Sequence, residues 1–180
     1  MAIATAALLA GCGGGSSSKS TTTSTARSGD ASSGQTVTAK NGGFTTIVPQ
    51  GYTYTPTAAQ YVVSGAITGG GTQEQIAVLR QPASEGDTAT AARQLLRVLK
   101  RPPNPAQEVS ALRSLTVAGE PAAWVDYVVS VENGQTQHVI VVLVGHGAWV
   151  YSIRASSLPE QYASLRRAVE EVFDHWRWLK

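Results

Sequence analysis

Two long runs with strand character, Ala122 to Glu132 and Gln135 to Val144, flank the dipeptide Asn133-Gly134. An Asn-Gly pair between such runs is a strong signal for a β-hairpin, because both residues tolerate the positive φ that a type I′ turn requires. A two-residue turn pairs Glu132 with Gln135, and so sets Val129 opposite His138, Tyr127 opposite Ile140 and Val125 opposite Val142. With His146-Gly147 as the next turn, Val144 pairs with Trp149, Val142 with Tyr151 and Ile140 with Ile153. This register predicts a core face made of Val125, Tyr127, Val129, Val131, Ile140, Val142, Val144, Trp149, Tyr151 and Ile153.

The opposite face carries Trp124, Asp126, Val128, Ser130, Glu132, Gln135, Gln137, Val139, Val141, Leu143, Val150, Ser152 and Arg154. It is mixed in polarity, as expected of a sheet half covered by a second layer, and its open remainder is the place to look for a ligand. On this reading Asp126 and Arg154 share a face two strands apart, with Ser152 between them opposite Val141. They would suit a small ligand bearing both charges; the structural alternative is an ion pair or two separately solvated groups.

Shorter signals surround the meander. Phe44 to Val48 reads as a strand closed by Pro49-Gln50-Gly51, and Tyr61 to Ile67 with Gln75 to Arg80 as a hairpin across Gly69-Gly70-Gly71. Asp87 opens a helix whose Ala92, Leu95, Leu96 and Leu99 share one face, and Pro102-Pro103 ends it. Arg93, Arg97, Lys100 and Arg101 lie opposite that face, either as a solvated stripe favoured by the helix dipole or as a contact for anionic lipid or cell-wall polymer. Leu112 to Val117 and Ala148 to Ala155 complete the strands. The last helix is expected from a capping box, Ser157 with Glu160, and buries Leu158, Tyr162, Leu165, Val169 and Val172. Arg166 with Glu170 and Arg167 with Glu171 form i, i+4 pairs on its wet side. Trp176 and Trp178 alternate beyond it, so one extended segment would set both against the same surface, by packing or as a peptide or glycan platform.

The N-terminal part is of another kind. From Gly13 to Thr36, eighteen of twenty-four residues are Gly, Ser or Thr, a composition that cannot offset chain entropy by burial. All four Trp and all six Tyr lie beyond position 50. The expected organisation is therefore a signal peptide at 1–11, a tether at 12–42 and one α+β domain at 43–180. As a coil, a tether of this kind has a root-mean-square reach of roughly 25 to 33 Å.

Ile3 to Ala10 is a short apolar stretch ending in small residues, and Leu8-Leu9-Ala10-Gly11-Cys12 follows the shape of a secretory cleavage site. Met1 to Thr5 holds no Lys or Arg, where a signal peptide ordinarily opens with a basic segment. The Leu-Ala-Gly-Cys core resembles a bacterial lipobox. That resemblance implies a diacylglycerol on Cys12, cleavage before it, and a protein held at the extracytoplasmic face of a membrane by two or more acyl chains, where one chain alone binds marginally.

Beyond Cys12 the chain has no cysteine, which excludes a disulfide or a cysteine-based zinc site within the domain. The three His stand far apart without metal-ligand spacing, so no metal is expected. No Gly-x-Ser-x-Gly elbow and no phosphate loop occur. His138 and His146 read as packed or turn residues, with a general base as the other reading. The domain from Gly43 onward has eleven basic and eleven acidic residues, which argues against nucleic acid as a partner.

The order of strands, helix, meander and long C-terminal helix, opened by Gly43-Phe44 through Pro49 to Gly51-Tyr52, resembles the PsbP-like or Mog1-like α/β/α sandwich over residues 43 to 175. The resemblance also involves Val144 to Phe173. It implies an antiparallel sheet with helices packed on it, a fold also found in actinobacterial lipoproteins, used mostly for binding and assembly and bringing no catalytic motif or cofactor. The functional expectation is a non-enzymatic, membrane-anchored envelope module that binds a protein partner, lipid or glycan. The alternatives are a cell-envelope enzyme with an unrecognised site and a structural spacer. Candidate residues are Cys12 for lipidation and Trp124, Asp126, Ser152, Arg154, Trp176 and Trp178 for binding.

Overall fold

Val139 to Val144 is apolar at every position, a pattern that suits a strand covered on both faces. The computed structural model of the chain describes residues 34–39, 43–54, 61–65 (backbone only), 74–83, 88–101, 106–130 and 134–180. In it this run is the middle of β9 (Thr136–His146), and every residue from Val139 to Val144 is buried. Cys12, Gly69 to Gly71, Asp87, Pro102-Pro103, Glu132 and Asn133 fall outside the described residues.

In chain order the elements are β1 (Thr36–Ala39), β2 (Phe44–Ile47), β3 (Tyr52–Tyr54), β4 (Tyr61–Gly65), β5 (Glu74–Pro82), α1 (Thr88–Leu99), β6 (Glu108–Val109), β7 (Arg113–Val117) and β8 (Glu120–Ser130). After β9 come β10 (Trp149–Ser157), α2 (Tyr162–Asp174) and β11 (Arg177–Trp178). The large sheet runs β3-β4-β5-β10-β9-β8-β6, with β7 also paired to β8, and its described pairings are antiparallel. A small sheet, β1-β2-β11, joins the two ends of the domain. Thr36–Ala39, expected in the tether, is thus a strand; Val48 bonds back to Gln35 and Gly34 to Val48 through the backbone. The folded part begins ahead of Gly43.

The large sheet is the middle layer of three. On one side Ala123, Val125, Tyr127, Val139, Val141, Leu143 and Val150 pack against Ala92, Leu95, Leu96 and Leu99 of α1, the helical face that the spacing predicts. On the other, Trp124, Ile140, Val142, Val144, Tyr151 and Ile153 pack against Leu165, Val169, Val172 and Phe173 of α2 and against the small sheet.

Two expectations need correction. First, β8 pairs with β9 one residue out of the predicted register: Val128, not Val129, faces His138, and Trp124, not Val125, faces Val142. A slip of one exchanges the faces of a whole strand, so Trp124 joins the α2 side, while Val125 and Tyr127 turn to α1. The β9–β10 ladder is displaced by two, Val144 facing Tyr151 and Val142 facing Ile153, which leaves the faces as predicted. Second, no capping box forms. Ser157 ends β10 and its hydroxyl donates to the Leu158 carbonyl, and a 3-10 turn, Pro159–Gln161, leads into α2 without a side-chain cap. The Arg166–Glu170 pair forms at 3.0 Å; Arg167 Nε instead donates to the Ala163 carbonyl.

Candidate functional site

The register of β8 sets Asp126 across from Ile140, on the α2 side and beside the ladder position of His138. Asp126 is only half-buried, and its surroundings hold it in place. The Trp124 indole N–H donates to Asp126 Oδ1 at 2.8 Å. The backbone N–H of Asp126 donates to Ser110 Oγ at 2.8 Å, and the Ser110 N–H donates to the Asp126 carbonyl at 2.8 Å. From α2, the Tyr162 hydroxyl stands near the same carboxylate. Burial pushes the Tyr162 pKa up, and the neighbouring Asp126 charge adds to this, while Arg166 and Arg113 act in the opposite sense.

Cations and rings complete the cluster. The exposed Arg113 guanidinium lies over the Trp124 ring, 5.0 Å from its centroid, and the Trp124 ring meets Phe173 edge-on. The His138 ring packs against Tyr162 with centroids 4.6 Å apart. A carboxylate that accepts a hydrogen bond from a buried, fixed indole keeps its orientation without being sequestered. With Arg113 and Arg166 on its flanks, the arrangement can read a polar group that offers both a donor and an anion.

The predicted site residues are separated by the sheet. Trp124 is buried and acts as support rather than contact surface. Ser152 and Arg154 pair with Leu143 and Val141, whereas Asp126 pairs with Ile140, so Asp126 and Arg154 sit on opposite faces and form no joint site. Trp176 has 0% exposure and stacks on Phe44 at 3.8 Å, so it is closed to a ligand. Trp178 pairs with Phe44 in the β2–β11 ladder and lies half-buried on the His146 ring at 4.0 Å, nearly parallel. His146 in turn meets Glu120 at 2.8 Å. Arg113, Tyr162 and Ser110 escaped the sequence reading because three separate elements bring them to Asp126. The one available signal was Tyr162 on the predicted inner stripe of the last helix.

No protein-family model matches this sequence, and no curated relative aligns with it. Solved structures are nevertheless similar in fold. LpqN of Mycobacterium tuberculosis, involved in cell envelope biogenesis, superposes over 81% of this chain and 90% of its own with a TM-score of 0.67 at 16% identity. CyanoP, the cyanobacterial PsbP of Synechocystis sp. PCC 6803, covers 86% and 95% with a TM-score of 0.59 at 10% identity. The Ran-binding protein Mog1p of Saccharomyces cerevisiae covers 81% and 95% with a TM-score of 0.54 at 14% identity. This is a PsbP/Mog1-like fold. At such identities the likeness concerns architecture alone, and within the PsbP/Mog1-like sandwich the Asp126 cluster sits where α2 begins to cross the sheet. Among the described residues, no three His, Cys, Asp or Glu side chains gather to hold a metal, and no helix is long and apolar enough to span a membrane.

Proposed function

We propose that this chain is a non-enzymatic envelope lipoprotein, anchored through Cys12 at the extracytoplasmic face, whose domain recognises a protein partner through the Asp126 cluster. The observation that carries the binding half is the half-exposed Asp126 carboxylate, oriented by Trp124, with Tyr162 beside it and Arg113 and Arg166 nearby. Sites that recognise another protein combine preoriented charge with aromatic support, and Arg and aromatic residues dominate their energetics. The membrane half rests on Leu9-Ala10-Gly11-Cys12 and on the Gly/Ser/Thr segment after it. The similar folds of LpqN, described for envelope biogenesis, and Mog1p, described as Ran-binding, support a binding role.

Two measurements test the two halves separately. Cys12→Ser is expected to abolish labelling by a palmitate analogue and to release the protein from membranes washed at high salt; persistent labelling, or unchanged retention after that wash, would overturn the anchor. For the site, a photo-crosslinking residue at half-exposed Arg166, one helical turn from Tyr162 on the same side of α2, is expected to give a discrete adduct in intact cells that Asp126→Ala removes, while the same probe at Arg154 gives none. Equal yield from both positions, or no adduct at either, refutes the Asp126 face as the contact and favours a spacer.

A further inference from the structure

Charge is not spread evenly over the three layers. Among residues whose side chains are described, the carboxylates Glu74, Glu120, Asp126, Glu160, Glu170, Glu171 and Asp174 all belong to the α2 side of the large sheet, to its rim, or to α2 itself with the turn before it. On the α1 side the charged groups are Arg93, Arg97, Lys100 and Arg101, together with Arg154 of β10. α1 contains no acidic residue. Its apolar stripe is turned to the sheet, so Arg93 and Arg97 point away from the protein, and both are exposed. Arg93 makes a hydrogen bond to the Thr90 hydroxyl, and none of these cations has a carboxylate partner among the described residues.

Apolar side chains stand among the cations. Val98, on the flank of the same helix, is 62% exposed, and Leu79 of β5 is 41% exposed. Leu79 faces Ser152 in the β5–β10 ladder, on the side of the sheet that carries Arg154. A face that, among the described residues, combines unpaired cations with projecting aliphatic groups and carries no acid matches an anionic headgroup layer over its acyl boundary.

We infer that the α1 face is a membrane-docking surface that lies on anionic phospholipid and turns the Asp126 cluster away from the bilayer. The inference deepens the membrane placement proposed above, and rests on it for the source of the surface. Cys12 would supply attachment and the α1 face orientation. Because the sheet separates the two sides, a domain lying on α1 presents α2 and Asp126 to a partner in the envelope.

The test uses the full-length, unlipidated Cys12→Ser protein, so that binding reports the face and not the anchor. Sedimentation with vesicles of phosphatidylglycerol and phosphatidylcholine at about 30:70 is compared with vesicles of phosphatidylcholine alone. Partitioning is expected to be at least about tenfold stronger on the anionic vesicles and to fall steeply with added salt. It should drop by about fivefold for each charge removed in Arg93→Gln and Arg97→Gln, and be lost in the double charge reversal R93E/R97E, with circular dichroism confirming that each variant is folded. Asp126→Ala should bind the vesicles like the parent. Equal binding to both vesicle types overturns the inference, as does full retention in R93E/R97E or capture by a soluble anionic polymer with no vesicle binding. The anchor stands or falls by itself, because acyl labelling at Cys12 and retention through a high-salt wash do not depend on the α1 face.

Discussion

Trp176 is the side chain whose loss should cost the fold most. It is fully buried, stacked on Phe44 of β2 with centroids at 3.8 Å, and set edge-on to Tyr151 of β10 at 6.3 Å. It also touches Phe173 of α2 and Trp178 of β11, so one ring ties both sheets and the last helix together. An aromatic side chain of this class buries about 150 to 250 Å², which at about 25 cal/mol per Å² amounts to roughly 4 to 6 kcal/mol as an upper bound. Truncation to Ala keeps a small part of that area and leaves a cavity, and buried Trp-to-Ala changes cost about 3 to 5 kcal/mol. Trp176→Ala is therefore expected to lower unfolding free energy by that amount, a large share of the 5 to 15 kcal/mol typical of a domain. Trp176→Phe retains the stack on Phe44 and should lose only about 1 to 2 kcal/mol. Trp178→Ala, half-buried on His146, should fall between the wild type and Trp176→Ala. Urea denaturation followed by far-UV circular dichroism, with the slope m checked for constancy, measures all three. A loss below about 1 kcal/mol for Trp176→Ala, or a larger loss at Trp178, would refute the assignment of Trp176 as the joint of the C-terminal packing.

Three further substitutions probe separate devices. Ala118 and Gly119, between β7 and β8, have φ of 47° and 87°, the paired positive values of a type I′ turn. Ala118→Asn is thus expected to stabilise by about 0.5 to 1 kcal/mol in the same assay, and destabilisation would argue against the turn type. A Cβ on Gly145 would lie 2.8 Å from Thr88 Oγ1 at the start of α1, so Gly145→Ala should cost about 1 to 3 kcal/mol. Most of that should be recovered by adding Thr88→Ala; a double-mutant cycle with no coupling would show that the clash is relieved elsewhere. Tyr52 donates its hydroxyl proton to the buried Glu74 carboxylate, and burial together with that charge raises its pKa far above 10. Above about pH 10 the unfolded chain gives up this proton and the native one keeps it, so stability is level below that pH and falls by about 1.4 kcal/mol per pH unit above it. Tyr52→Phe should flatten this fall, and an unchanged alkaline slope would refute the linkage.

The sequence made the elements legible and left one face assignment open, for reasons that lie in β8 and its turns. Periodicity was enough for α1, where Ala92, Leu95, Leu96 and Leu99 do meet the sheet, and the uninterrupted run Val139 to Val144 matched a central strand. In β8 both alternating sets are apolar enough to be buried: Ala122, Trp124 and Val128 on one side, Ala123, Val125 and Tyr127 on the other. A strand covered by helices on both faces offers no binary pattern from which to choose a register, so the choice fell to the turn. Asn-Gly serves two-residue turns, and Gly in the left-handed region also closes longer loops. The observed ladder ends at Ser130 opposite Thr136, with Gly134 at φ 73°, which leaves an odd number of residues between the strands. Paired positive φ values of the kind that an Asn-Gly signal implies do occur at Ala118-Gly119, a dipeptide with no such signal.

That single-residue slip has a functional consequence. In the expected register Asp126 would face the same side as Arg154 and Ser152; in the observed one it faces Tyr162, His138 and Arg113, which local spacing could not have brought to it. The same slip parts the charges of the domain, since Asp126 moves to the α2 side and Arg154 remains on the α1 side with the cations of the helix. Had the hairpin closed with two residues, a carboxylate would lie on the basic face and the two sides would be far less distinct. The recognition cluster and the basic docking face thus follow from one geometric choice, the parity of the loop between β8 and β9. An insertion of one residue into that loop tests this directly. If the register is held by packing of Trp124 against Phe173 and of Tyr127 within the α1 layer, the extra residue is absorbed as a bulge, and both the Arg166 adduct and anionic vesicle binding persist. A slip of β8 would lose both together.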